Sequence, residues 1–81
     1  MVGILEAQIV GDFTVWLSFS DGTEGRVDLS GDLDGPVFKP LKDAGFFAQL
    51  RLDPETRTIT WPNGADLAPE FLYDRVKLAA A

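Results

Sequence analysis

The sequence contains no cysteine and no histidine. Without cysteine there can be no disulfide, no thiolate nucleophile, no thiolate zinc site and no cysteine-held iron–sulfur cluster. Without histidine the usual general base at neutral pH is missing, as is the commonest metal ligand. Positive charge is scarce: seven Lys and Arg face thirteen Asp and Glu, a formal net charge of −6. Nucleic-acid binding relies on clustered Lys and Arg, so no direct binding to DNA or RNA is expected. No apolar run approaches the ~18 residues that a membrane span requires, and the acidic balance disfavours an anionic bilayer surface. Met1 to Val10 has neither a basic start nor a long apolar core, so no secretory signal is expected and the cytoplasm is the expected location.

What is present is enough to fold. Hydrophobic residues make up 46% of the 81 residues and aromatics 11%, which places the chain among globular rather than disordered sequences. The length allows one domain, expected to span residues 1–81, with one modest core.

Alternation dominates the first third. Leu5, Ala7 and Ile9 share one phase, with Glu6 and Gln8 on the other, which predicts a half-buried strand over Ile4–Val10. Phe13, Val15, Leu17 and Phe19 alternate with Thr14, Trp16 and Ser18 and predict a stronger second strand. Ser20-Asp21-Gly22-Thr23 is a hairpin signal, with Asp-Gly suited to a type I′ turn. Thr23–Leu29 follows as a third strand, interrupted by Gly25.

The middle is punctuated by Pro and Gly. Ser30 to Pro36 reads as a loop, and Pro36-Val37-Phe38 as a tight turn. Pro40 suits the first turn of a short helix running to Ala44, with Gly45 expected as a left-handed cap. Phe46, Phe47 and Leu50–Leu52 are expected to start a fourth strand, and Asp53-Pro54-Glu55-Thr56 to turn it into a fifth at Thr58–Trp61. After the Pro62-Asn63-Gly64 turn, Asp66 or Ala68 is expected to cap a final helix with Pro69 and Glu70 in its first turn. Leu72, Val76 and Ala79 define its apolar face, with Phe71 and Leu78 beside them. Lys77 to Ala81 either extends that helix or frays. The predicted class is α+β: a small antiparallel sheet in the order β-β-β-(short α)-β-β-α, with the C-terminal helix packed on it.

The raw material for catalysis is limited to carboxylates. Asp21, Asp28, Asp32 and Asp34 lie close in sequence, but they lack calcium-loop spacing and read as solvated loop acids. Ser18, Ser20 and Ser30 have no histidine to activate them, and Lys39, Lys42 and Lys77 show no Ser-x-x-Lys spacing. No glycine-rich phosphate loop is present. The expectation is therefore a protein without enzymatic activity and without a cofactor or metal.

The aromatic residues divide into two groups. Phe13, Phe19, Phe46, Phe47 and Phe71 fall on apolar phases and are expected in the core. Trp16 lies on the polar phase of strand two, where either another element covers it or it projects as a contact for a partner. Trp61 and Tyr73 bracket the Asn63-Gly64 turn and either pack the last helix onto strand five or form a shallow aromatic shelf beside Asp66 and Glu70.

The block Trp61-Pro62-Asn63-Gly64-Ala65-Asp66-Leu67-Ala68-Pro69-Glu70-Phe71-Leu72-Tyr73 resembles the signature of a bacterial family known as domain of unknown function 2442. Leu17-Ser18-Phe19-Ser20-Asp21-Gly22 with Val27-Asp28-Leu29 is similar to its first half, and Pro40-Leu41-Lys42-Asp43, Phe46 or Phe47, Asp53 and Thr58-Ile59 to its middle. The resemblance implies a small α+β domain, joined in some members to a C-terminal helix-turn-helix domain. These 81 residues hold no such extension, so DNA binding is not carried over. It also implies a gene neighbourhood shared with another uncharacterised family, numbered 4160, in an arrangement like a toxin–antitoxin pair. No catalytic residue is established for the family, so none is transferred.

Two functions from different classes fit these features. One is a protein-binding module, antitoxin-like or regulatory, whose acidic surface meets a basic, toxin-like protein encoded nearby; Trp16, Asp66, Glu70 and Tyr73 are its expected contacts. The other is a small-ligand domain with Trp61, Asn63, Asp66 and Tyr73 around the ligand. A third option is a structural subunit that only homodimerises, since the edge strands of a short meander invite pairing.

Overall fold

The computed structural model describes residues 2–80, with the side chains of Ala79 and Ala80 outside the described set. Strands β1 (Ile4–Ile9), β2 (Thr14–Phe19) and β3 (Glu24–Asp28) form an antiparallel meander in the order β1-β2-β3. Two 3-10 turns, Ser30–Asp32 and Lys39–Lys42, lead to a single helical turn, α1 (Ala44–Phe47). Strands β4 (Arg51–Asp53) and β5 (Thr58–Thr60) make a separate two-stranded ladder, and α2 (Pro69–Ala80) follows. The expected α+β architecture and the helix on the sheet are both present.

Alternation in β2 sets the core. Val15, Leu17 and Phe19 are fully buried, while Thr14, Trp16 and Ser18 stand on the opposite face. α2 covers the buried face at β3 through Leu72 and Val76, and the second ladder adds Ile59 beside β1. The irregular segment plugs the end near Phe13, whose ring meets that of Phe47 edge-on at 5.4 Å.

Several local expectations are corrected. Leu5 is 55% exposed, because an irregularity of register between Ile4 and Glu6 makes Ile4, not Leu5, the residue opposite Phe19. The β2–β3 hairpin is not type I′. Only Gly22 has positive φ, and Gly22 N–H donates to Phe19 C=O at 3.0 Å, closing a three-residue loop of the kind that ends in a glycine bulge. Gly45 is not a left-handed cap but lies inside α1, which Asp43 begins by accepting from Phe46 N–H at 3.0 Å. Phe46 and Phe47 therefore belong to that turn and not to β4. Phe71 is 38% exposed and Leu78 more so, because the buried stripe of α2 is carried by Leu72 and Val76. Ala79, expected on that stripe, has its side chain outside the described residues, as does all of Ala81. Helix α2 starts after Ala68, whose carbonyl accepts from Leu72 N–H at 3.2 Å, whereas Asp66 forms a bridge with Thr60.

Gly25, which weakens the third strand in sequence terms, has a packing reason. A β-carbon at that position would lie 2.8 Å from Val76 Cγ1, so the helix rests directly on strand backbone. Gly25→Ala is therefore expected to lower unfolding free energy by about 1–2 kcal/mol, overpacking outweighing the entropy gained by removing a strand glycine. Urea denaturation checks this, and an unchanged or raised midpoint would contradict the tight helix–sheet contact.

Candidate functional site

Trp61 is 2% exposed. Its indole N–H donates to the Phe47 carbonyl at 2.9 Å, and its ring lies 5.5 Å from that of Phe47 in a tilted arrangement. A residue so enclosed belongs to the core and cannot present a stacking wall. Tyr73 is drawn elsewhere: its ring meets Phe19 edge-on at 5.2 Å, and its hydroxyl donates to Asp21 Oδ2 at 2.6 Å. Of the two readings of Trp61 and Tyr73, the shallow aromatic shelf is therefore not formed.

Asn63 is exposed but both ends of its amide are engaged. Its Nδ2 donates to the Val37 carbonyl at 2.8 Å, and its Oδ1 accepts from Ala65 N–H at 3.1 Å. Asn63 thus pins the turn after β5 to the turn around Val37, which explains an Asn at that place without any ligand. Asp66 and Glu70 are exposed at the approach to α2 and in its first turn.

Trp16 stands apart from all of these. It is half-buried and is not one of the residues packed on the core. In the sheet it lies between Gln8 of β1 and Arg26 of β3. The rows on either side bring Glu6, Ser18 and Glu24 together, and then Thr14 and Asp28. The five residues of β1 and β3 on this face, Glu6, Gln8, Glu24, Arg26 and Asp28, are all exposed. Among the described residues no helix or strand is packed over it, since α2 reaches the sheet on the Gly25–Val76 side. Trp16 consequently does not share a surface with Asp66, Glu70 and Tyr73, and the four expected contacts divide between two faces.

The open face carries three carboxylates against one guanidinium. Gln8 and Arg26, which flank the indole, were not among the candidates read from sequence. The signal for them was the polar phase of β1 and β3, which becomes a surface only when the register of both hairpins is known.

Asp28 of this face, and Asp21 and Asp32 elsewhere on the molecule, are also engaged within the structure. Arg75 pairs with Asp32 at 2.7 Å and donates to the Asp28 carbonyl at 2.9 Å, tying α2 to the loop after β3. The Asp28 carboxyl is held below its ordinary value of 3.8, chiefly by the Ser30 backbone N–H it accepts, with help from the Ser30 hydroxyl and Arg75. Asp21 is likewise lowered, first by the Tyr73 hydroxyl and then by Thr23 N–H. Among the described residues no group of three or more Asp and Glu is arranged to hold a metal ion. A shallow depression of about 280 Å³, lined by Val2, Gly3, Glu55, Thr56, Arg57 and Pro69, includes none of the candidate residues.

The fold is that of a small α+β domain with one covered and one open sheet face. The family model described as "Protein of unknown function (DUF2442)" matches residues 4–77, and the chain belongs to this family. No curated protein and no solved structure matches the chain. No helix among the described residues is long and apolar enough to cross a membrane.

Two outcomes follow from the site geometry. Trp61→Phe should cost about 1–3 kcal/mol of stability through loss of the buried indole hydrogen bond and of ring volume. A change below 0.5 kcal/mol in chemical denaturation, on the order expected of a surface substitution, would show that Trp61 is not a core residue. Tyr73→Phe should raise the Asp21 carboxyl toward 3.8, as followed by carboxyl NMR titration. The depressed folded-state value makes Asp21 stabilising above 3.8, and that contribution disappears as pH falls through the lowered folded value. The variant should accordingly lose less stability than the parent over that acid window; an identical acid profile would contradict the assignment.

Proposed function

We propose that the chain is a non-catalytic protein-binding module, an antitoxin-like or regulatory partner of a basic protein, working in the cytoplasm. The observation that carries the proposal is the uncovered face of the three-stranded sheet, with Trp16 at its centre between Gln8 and Arg26. Tryptophan is enriched among the few residues that dominate binding energy, and a half-buried indole gains contact area at little entropic cost. Glu6, Glu24 and Asp28 around it favour a cationic partner. The overall charge of −6 adds long-range steering to the same end. The gene neighbourhood implied for the family supports a partner encoded next to this chain. The ligand-domain alternative has less support, because Trp61 is enclosed and Asn63 is engaged with backbone.

Co-expression with the product of the adjacent gene tests the proposal. A complex should co-purify at low salt and weaken as salt is raised, the mark of electrostatic attraction between exposed groups. Trp16→Ala should weaken it at least tenfold in titration calorimetry while leaving the circular dichroism spectrum unchanged. Absence of a complex at low salt, or undiminished binding by the folded Trp16→Ala variant, would overturn the reading.

A further inference from the structure

Exposed large apolar side chains fall at three places among the described residues: β1 and its continuation, Val37 in the irregular segment, and Phe71 and Leu78 on α2. Leu5, Ile9 and Val10 belong to β1 and its continuation, and β1 is an outer strand of the meander. The direction of its backbone groups follows from the register. Val10 N–H donates to Thr14 C=O at 3.0 Å, so Val10, Gln8 and Glu6 turn their amides toward β2. Ala7 and Ile9, opposite Leu17 and Val15, then turn theirs to the outer edge. At the start of the strand the edge is occupied, because Ile4 N–H donates to the Arg57 carbonyl at 2.9 Å.

An edge of this kind is complementary to another strand and above all to itself. We propose that β1 pairs antiparallel with β1 of a second copy, across a two-fold axis at Gln8, to give a continuous six-stranded sheet. This axis sets Ala7 opposite Ile9 of the second copy, so both outward-turned residues of each chain exchange their amide bonds. It also sets Glu6 opposite Val10 of the second copy and brings the two Gln8 side chains together. The neighbouring registers are worse. An axis at Glu6 would place two carboxylates face to face, which is destabilising. An axis at Ala7 would push Ile4, and the β4–β5 turn bonded to it, against Val10 of the other copy. Among the registers centred on Glu6, Ala7 and Gln8, charge and the Arg57 contact thus favour the one at Gln8.

The pairing leaves the Trp16 face open and doubles it. Two indoles would lie about 14 Å apart across the axis, three strand spacings of roughly 4.8 Å. The interface itself is small beside the ~1,600 Å² of standard stable complexes, so association is weak and reversible. Both copies carry −6, so added salt should strengthen the dimer, opposite to its effect on a complex with a basic partner.

Gln8 supplies a test specific to the register. In a non-hydrogen-bonded antiparallel pair the opposed α-carbons are only about 4.5 Å apart, so like charges at this position repel strongly. Sedimentation equilibrium on the isolated 81-residue chain should show a monomer–dimer equilibrium that tightens with salt. Gln8→Glu and Gln8→Lys should each weaken it at least tenfold, and an equimolar mixture of the two should restore dimer. Gln8 is exposed, so both variants should keep the parent's melting temperature at dilutions where all are monomeric. A parent that stays monomeric to millimolar concentration would overturn the proposal. So would a dimer indifferent to both substitutions, or a mixture no tighter than its components.

Discussion

A β-carbon at position 25 would stand 2.8 Å from Val76 Cγ1, and much of the molecule depends on that close approach. It lets α2 lie on the third strand so that Leu72 and Val76 enter the same core as Val15, Leu17 and Phe19. Two contacts then hold the helix at its flanks. Arg75 reaches back to Asp32 and the Asp28 carbonyl, and Tyr73 reaches the β2–β3 turn at Asp21. With the helix committed to one side of the sheet, the other side is left to water.

That division gives the open face its chemistry. A three-stranded sheet with one solvated side should alternate strictly, and β2 and β3 do so. Trp16 breaks the polar pattern at the central strand, where its neighbours on both sides are long polar side chains able to screen the ring edges from water. A large apolar ring kept there, amid mixed charges, is a surface feature that packing of the core does not account for. The buried aromatics, by contrast, are accounted for by packing: Phe47 links Phe13 to Trp61 in a single chain of ring contacts.

The first three strands, the fifth and the final helix are legible in the sequence because each depends on local periodicity, whereas Phe46 and Phe47, expected to begin the fourth strand, belong to α1. The β2 pattern named its buried residues correctly, and the signature block around Trp61 pointed to the family that the chain belongs to. What the sequence did not disclose was non-local. The register irregularity that turns Leu5 outward adds one residue to a ladder and leaves no mark in the alternation itself. The place of Trp61 depends on a carbonyl fourteen residues away, and that of Asn63 on one twenty-six residues away. Gly45 looked like a helix stop because the competing signal, Asp43 capping a second turn, occupies the same few residues. The open face needed the register of two hairpins at once, so Trp16 was visible while its neighbours Gln8 and Arg26 were not.

The Tyr73–Asp21 contact joins residues fifty-two positions apart, and the helix that carries it is the last element of the fold. The order of synthesis therefore matters. While the ribosome is still adding the middle of the chain, the meander already has its turns but lacks the cover for its apolar side. Val15, Leu17 and Phe19 share their core with Phe47, Ile59 and Trp61 from the middle of the chain, but the cover from Leu72 and Val76 arrives only with α2, so the core is completed by the last element. A nascent meander in that interval exposes both its greasy side and its free edge, which makes prompt release of α2 a condition of escaping aggregation.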